Sequence, residues 1–237
     1  MPEISIILPL YQQSKQVEQL KEIYSLIREQ YVFINEVIFA VNNGDEKTYQ
    51  AFKKIEDDYF KVLLISDGGW GKGLKEGVKH ATGNWVLYTN SARTHFDELN
   101  QFLLQSDFTP KSIYKAKRKS RGILRKILSK ILELEFALFS GVYQSDINGT
   151  PKLLEKALFN DLNLVENHVF IDSELTLKAR NREVAFTDVP FYNYQRLEGK
   201  STTTLKMVFF FIRNTFFKIS HYVHMSIDIR CIASSFR

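Results

Sequence analysis

Four short segments carry the residue types that could hold a polar ligand: Leu10-Tyr11, Asn42-Asn43-Gly44-Asp45, Ser66-Asp67-Gly68-Gly69 and Thr89-Asn90-Ser91-Ala92. Each follows an apolar run that reads as a buried strand. Open α/β sheets bind their ligands at the carboxyl ends of such strands. Asn43 offers a donor and an acceptor together, which suits the edge of a nucleobase. The fourth segment is unusual for such a place. Hard cations want carboxylate oxygens, yet Asn90 is at best a neutral ligand and Ala92 can ligate nothing. His95 and Asp97 lie just beyond.

Gly68 to Gly77 (GGWGKGLKEG) is glycine-rich and opens a helix. Two readings stay open. Backbone N–H groups at a helix N-terminus can cradle a phosphate, or the glycines can serve a turn and a close helix–strand contact. The segment is neither G-x-G-x-x-G, since Glu76 takes the third glycine's place, nor a P-loop, since Lys72 precedes Gly73. Asp146 to Lys152 (DINGTPK) has turn chemistry and then a proline suited to a helix start, where Asp146 or Asn148 could be a plain N-cap. Arg196-Leu197-Glu198-Gly199-Lys200-Ser201 suits an anion-binding loop or a simple surface loop. Lys111 to Lys130 holds nine cations and no acid. That implies either an anionic partner or a solvated helix face.

The elements that position these residues are legible in part. Ile4–Leu8, Val37–Val41, Val62–Ile65 and Trp85–Tyr88 are apolar runs, as parallel strands covered on both faces read, with Pro9 expected to stop the first. Helical spacing appears from Ser14 (Val17, Leu20, Tyr24, Ile27), over Thr48–Tyr59, and at Leu74, Val78 and Ala81. Further on, Ser112–Tyr114 and Val184–Phe186 read as strands. Ile123–Leu138, Asp172–Arg180 and the Phe-rich stretch Thr204–Val223 read as helices. The alternation predicts a doubly wound α/β sheet.

Composition excludes several classes. The 237 residues are 44% hydrophobic and 25% charged, which argues against disorder. A single cysteine, Cys231, rules out an intrachain disulfide framework, and no Cys/His spacing suits zinc. The apolar run Met207–Ile212 is far short of the roughly 20 residues of a spanning helix. No Ser/His/Asp setting stands out, and His221 and His224 read as surface or interfacial residues. The net charge of +5 raises nucleic acid as a partner, but no recognisable nucleic-acid-binding signature supports it.

Taken in order, the segments resemble family 2 glycosyltransferases of the GT-A fold, nearest to the branch of dolichol- and polyprenol-phosphate sugar transferases. The resemblance covers about residues 4 to 204. It rests on ISIILPLY from Ile4, EVIFAVNNGD from Glu36, Gly71-Lys72-Gly73 with Gly77, and ATGNWVL from Ala81. Lys117–Arg121, Asp146–Lys152, and Asp188-Val189-Pro190-Phe191 with Arg196 and Gly199-Lys200-Ser201 complete it. It implies a GT-A fold: a central, mostly parallel sheet flanked by helices. A glycosyltransferase-like domain would span residues 1–204, and a C-terminal amphipathic, Phe-rich basic helix and tail residues 205–237.

The implied activity is sugar transfer from a UDP- or GDP-type nucleotide sugar to a lipid-phosphate or glycan acceptor in cell-surface glycan or glycolipid synthesis. The implied setting is cytoplasmic; the C-terminal Phe-rich basic helix suits an anionic membrane surface, or equally packing on the domain or pairing with another subunit. Resemblance places Pro9, Tyr11, Asn43, Asp67, Gly71, Lys72 and Asn90 at the nucleotide. It places Arg118, Arg121, Arg196, Lys200 and Ser201 at phosphates or acceptor, and Asp146 as the catalytic carboxylate. Mg²⁺ or Mn²⁺ is usual for the family. Its metal-binding D-x-D falls here on Asn90-Ser91-Ala92, so no metal ligand is assigned. Three alternatives remain: a displaced site using His95, basic residues in place of a metal, or a non-catalytic module that binds a nucleotide or a partner.

Overall fold

The computed structural model describes residues 2–91, 95–119 and 123–192. Its elements are β1 (Ile4–Leu10), α1 (Val17–Gln30), β2 (Ile34–Val41), α2 (Glu46–Lys53), β3 (Phe60–Leu64), α3 (Trp70–His80) and β4 (Trp85–Tyr88). These are followed by α4 (Phe96–Leu104), β5 (Ser112–Arg118), α5 (Ile123–Ser140), β6 (Lys152–Glu155), α6 (Lys156–Asp161), α7 (Ile171–Arg180) and β7 (Ala185–Phe191). The strands form one sheet in the order β3-β2-β1-β4-β6-β5-β7. β6 runs antiparallel to both its neighbours, and the other pairings are parallel. The α/β class and the mostly parallel central sheet expected from the sequence are therefore present.

Both faces of the sheet are covered, which is why β1 and β2 read as apolar runs rather than alternating ones. In β1, Ile4, Ile6, Leu8 and Leu10 join Leu20, Tyr24, Phe52, Leu99 and Phe102 from α1, α2 and α4. Ile7 points the other way, into a core with Leu74 and Val78 of α3 and Ile171 and Leu175 of α7. Burying each of these side chains contributes about 1.5–3 kcal/mol before entropy. A smaller cluster of Phe136, Ile147 and Leu177 seats α5 on α7.

Several boundaries depart from the sequence reading. Pro9 does not stop β1. Leu10 turns its carbonyl to the Asn42 N–H just past β2, so Pro9 turns its backbone toward β4. β4 ends at Tyr88, opposite Ile7, and no ladder bond is asked of Pro9. The helix expected to Tyr59 ends at Lys53. There Asp57 accepts the N–H groups of Tyr59 and Phe60 at 2.7 and 2.6 Å and turns the chain into β3. Pro151, after a cis Thr150–Pro151 bond, enters a strand and not a helix, so neither Asp146 nor Asn148 is a helix cap. The helices α4 and α6 and the strand β6 were not anticipated, being short and without a clean apolar period. The expected C-terminal helix at Thr204–Val223 lies outside the described residues.

Candidate functional site

Because β5 is antiparallel to β6, and β6 to β4, β5 ends on the same edge as β1 to β4. That edge gathers residues 11–13, 42–45, 65–69, 89–91 and 118–119. The first three groups are tied together. Gly44 N–H donates to the Ile65 carbonyl at 2.8 Å. Gln12 N–H donates to Asp45 at 2.6 Å, and Gln13 N–H to the Thr48 hydroxyl at 3.0 Å. Asp45 also caps α2 through Thr48 N–H. Burial raises the Asp45 carboxyl, but the hydrogen bonds from Thr48 and Gln12 and the charge of Lys47 outweigh it and hold the group below the ordinary range. Gln12 and Asn43 adopt left-handed backbone at φ 56° and 58°. Conformations of this kind persist only where the surroundings over-determine them. Pro9, Tyr11 and Asn43 thus come to one edge, with Tyr11 and Asn43 exposed.

The glycine-rich segment makes close packing contacts. Gly71, Gly73 and Gly77 lie inside α3, not in a loop. A Cβ at Gly71 would stand 2.8 Å from the Glu166 carbonyl oxygen and 2.9 Å from that of His168. At Gly73 it would meet the Asn42 side chain at 2.6 Å, and at Gly77 Ile7 Cγ2 at 2.5 Å. The glycines let α3 lie directly on β1, on Asn42 and on the 163–168 strap. That strap is itself fixed by Glu174, which accepts the N–H groups of Val165 and Glu166 at 2.9 and 2.8 Å. Of the two readings of this segment, the packing contact is the one the structure displays. Lys72 reaches back to Asp67, and this pairing holds the Asp67 carboxyl below the ordinary range.

The end of β4 tests whether a divalent cation fits. Thr89, Asn90 and Ser91 offer hydroxyls and an amide, and the Ser91 hydroxyl is spent on Gln13 at 2.8 Å. Asp45 and Asp67, the carboxylates of the neighbouring loops, are engaged with backbone N–H groups and with Lys72. His95 occupies the N-cap position of α4. Among the described residues no three His, Cys, Asp or Glu side chains come together. This donor set does not fit Mg²⁺ or Mn²⁺. Ala92 lies outside the described residues.

Across β4, β6, β5 and β7 the register aligns Tyr88, Lys152, Lys115 and Asp188 in one row. Both lysines are fully buried. Lys115 pairs with Asp188 at 2.7 Å and donates to the Ser145 carbonyl at 2.7 Å. Lys152 and the Tyr88 hydroxyl converge on Asp172 of α7. Burial pushes the Lys152 ammonium pKa down, and Asp172 partly opposes this. Burial raises the Asp188 carboxyl, yet Lys115 and Lys117 outweigh it and hold the group below its ordinary range. The row anchors the turn at residues 145–149. There Asp146 takes φ 44° and donates its N–H to Glu133 of α5 at 2.7 Å. Its carboxylate accepts Arg118 N–H at 2.9 Å and the Arg118 guanidinium.

The sequence-predicted residues therefore form two groups on one edge. Pro9, Tyr11, Asn43, Asp67, Gly71, Lys72 and Asn90 surround the ends of β1 to β4, and Arg118 and Asp146 meet at the end of β5. Arg121, Arg196, Lys200 and Ser201 lie outside the described residues. One reading needs correction: the basic run is not simply a solvated or anion-facing surface. Lys115, Lys117, Arg118 and Lys130 are ion-paired with Asp188, Asp146 and Glu133. Lys115, Lys152 and Asp172 were not singled out for this site. Neither lysine had a sequence signal of its own, since β5 (SIYKAKR) and β6 (KLLE) each carry further charges.

Solved structures of the GT-A fold match this open, mostly parallel sheet with its loops gathered on one carboxyl edge. Glucosyl-3-phosphoglycerate synthase from Mycobacterium tuberculosis, in complex with UDP, superposes with a TM-score of 0.67 at 14% identity, over 94% of this chain and 80% of that one. The same enzyme with Mn²⁺, UDP-glucose and phosphoglyceric acid gives a TM-score of 0.70 at 13% identity, over 93% and 80%. A further mycobacterial protein gives 0.64 at 15%, over 97% and 75%. The family model for Glycosyl transferase family 2 matches residues 5–133. The chain belongs to that family and is an enzyme of the glycosyltransferase type.

Proposed function

We propose that this glycosyltransferase moves a sugar from a UDP- or GDP-type nucleotide sugar to a lipid-linked or glycan acceptor, in cell-surface glycan or glycolipid synthesis at the cytoplasmic face of a membrane. The carrying observation is the shared edge where β1 to β5 end, with Tyr11 and Asn43 exposed at one part and Arg118–Asp146 fixed at another. Tyr11 and Asn43, beside Pro9, would take the base and ribose. Lys72, Asp67, Gly71 and Asn90 would border the diphosphate, with Arg121, Arg196, Lys200 and Ser201 as further phosphate contacts. In the reaction, the bond from the anomeric carbon to the diphosphate oxygen breaks. A bond to an acceptor oxygen forms, and the nucleoside diphosphate leaves with the bonding pair. Its growing charge needs cations, which Lys72 and Arg118 can supply.

Asp146 is the carboxylate proposed for catalysis, but both its oxygens are on Arg118. A carboxylate so engaged is a weak base and a good orienter of a guanidinium. That favours an acceptor that is already ionised, such as a phosphate, over one that must lose a hydroxyl proton. Titration calorimetry with UDP and GDP, in EDTA and with Mn²⁺, tests the reading. Binding of one nucleotide in EDTA is expected. Absence of binding to either nucleotide under both conditions overturns it. Arg118→Ala and Asp146→Ala are expected to lower transfer by similar factors and non-additively, as partners in one unit.

A further inference from the structure

Helix α5 presents an apolar stripe that nothing in the described structure covers. Ile127, Ile131, Leu134 and Leu138 are 41–78% exposed. At 3.6 residues per turn they fall within an arc of about 60° and run about 17 Å along the axis. The opposite face, at Glu133 and Phe136, is buried. Lys126 and Lys130 stand exposed on one flank of the stripe. Past the helix end, half-exposed Tyr143 reaches back, its hydroxyl 2.8 Å from the Lys130 ammonium. Of the α5 carboxylates, Glu133 pairs with the Lys130 ammonium at 2.8 Å and offsets part of its charge, while exposed Lys126 keeps its own. Glu133 is turned inward to Asp146 N–H, and burial pushes the Glu135 carboxyl up.

We infer that α5 is an interfacial helix that lays Ile127, Ile131, Leu134 and Leu138 into an anionic lipid surface, with Lys126 and Lys130 at the headgroups. An apolar stripe with flanking lysines and an aromatic residue is the pattern of a helix lying in the interface plane. Charge chooses the occupant. An anionic bilayer complements exposed Lys126, and Lys130 as far as Glu133 leaves its charge unbalanced, whereas a second copy of α5 or this chain's own Phe-rich segment, with Lys206, Arg213 and Lys218, would set like charges against Lys126. The inference sharpens the membrane setting proposed above without depending on transfer. α5 is continuous with the site through Glu133 and Asp146, so a helix seated on lipid would bring the Arg118 end of the edge near the membrane.

Flotation of the full chain with vesicles tests it, using phosphatidylcholine alone and phosphatidylcholine with about 30% phosphatidylglycerol. The expected result is binding to the anionic vesicles, reduced on the order of tenfold or more by Leu134→Ser with Leu138→Ser. Lys126→Glu is expected to weaken binding to anionic vesicles only. Nucleotide titration of the double variant reports that the fold and donor site are intact, which separates failure here from failure of the proposed activity. Three results overturn the inference: no preference for anionic vesicles, binding of the double variant equal to wild type, or conversion of a dimer to a monomer by the double variant with no change in flotation.

Discussion

Gly77→Ala would put a methyl group 2.5 Å from Cγ2 of Ile7, between α3 and the central strand β1. Carbon atoms rest at about 3.5–4.0 Å, so helix and strand would have to part locally by about an ångström. Ile7 has little room to yield. It is fully buried, β-branched, and in a strand paired on both sides. Overpacking of this kind costs about 1–3 kcal/mol, and so short a distance argues for the upper end. Alanine's better helix propensity returns about 1 kcal/mol. The net loss is then about 2 kcal/mol, or a Tm lowered by about 4–8 °C for a chain of this size.

The measurement is thermal and urea denaturation beside a nucleotide titration. Gly77 sits about 10 Å along the helix from its N-terminus, so affinity in the folded protein should not change. Ile7→Ala gives a control. Alone it leaves a cavity and costs about 2–5 kcal/mol. Combined with Gly77→Ala, the new methyl occupies that space, and the double variant should be at least as stable as Ile7→Ala. The packing argument fails if Gly77→Ala keeps or raises the Tm. It fails equally if nucleotide binding weakens at unchanged Tm, since that is the signature of a phosphate-binding loop.

Three further outcomes follow from the same geometry. Asp188→Asn leaves Lys115 buried without its counter-charge and should cost about 3–5 kcal/mol by urea denaturation. The Asp188 carboxyl is held below its ordinary value, so its stabilisation is complete above the usual carboxylate range and is lost as pH falls through the lowered value. The variant should therefore show a shallower acid limb, and superimposable acid limbs would refute the pairing. Glu36 accepts from the Ser5 hydroxyl at 2.6 Å and from Thr82 N–H and hydroxyl at 2.6 and 2.8 Å. Glu36→Ala strands these donors and should cost about 2–4 kcal/mol, seen as a lower denaturant midpoint at constant m, with Glu36→Gln milder. Lys72→Ala should weaken nucleoside diphosphate binding about tenfold with an unchanged Tm, because an ion pair as exposed as Lys72–Asp67 adds little to stability; unchanged affinity would remove Lys72 from the site.

The strands of the first half were legible because burial on both faces leaves an unbroken apolar run, and Ile4–Leu8 and Trp85–Tyr88 needed nothing else. Glycine spacing was less informative. Gly71, Gly73 and Gly77 recur like a ligand loop, and the contacts they permit, with Glu166, Asn42 and Ile7, are all far off in sequence. The second half read poorly for a related reason. β6 is four residues long and contains a buried lysine, so neither length nor apolar content marks it as central. What makes Lys152 acceptable there is Asp172 on α7, 20 residues later.

Charge shows most clearly how a linear count departs from a folded one. Nine cations without an acid between Lys111 and Lys130 suggest a strong local field. The fold brings Asp188 from β7, Asp146 from the following turn and Glu133 from α5 against four of them. Lys115 is consumed structurally, since full burial without Asp188 would be prohibitive. Arg118 is held at the strand end by Asp146, in a pair whose side chains are both mostly buried. Lys126, exposed on α5, belongs to another surface. The segment thus divides into a buried strut, an oriented arginine at the sheet edge and an exposed helix flank. Each should respond differently to substitution: Lys115 in stability, Arg118 in transfer, Lys126 in binding to anionic vesicles. A uniform response of all three would mean that the segment acts as one undivided basic patch.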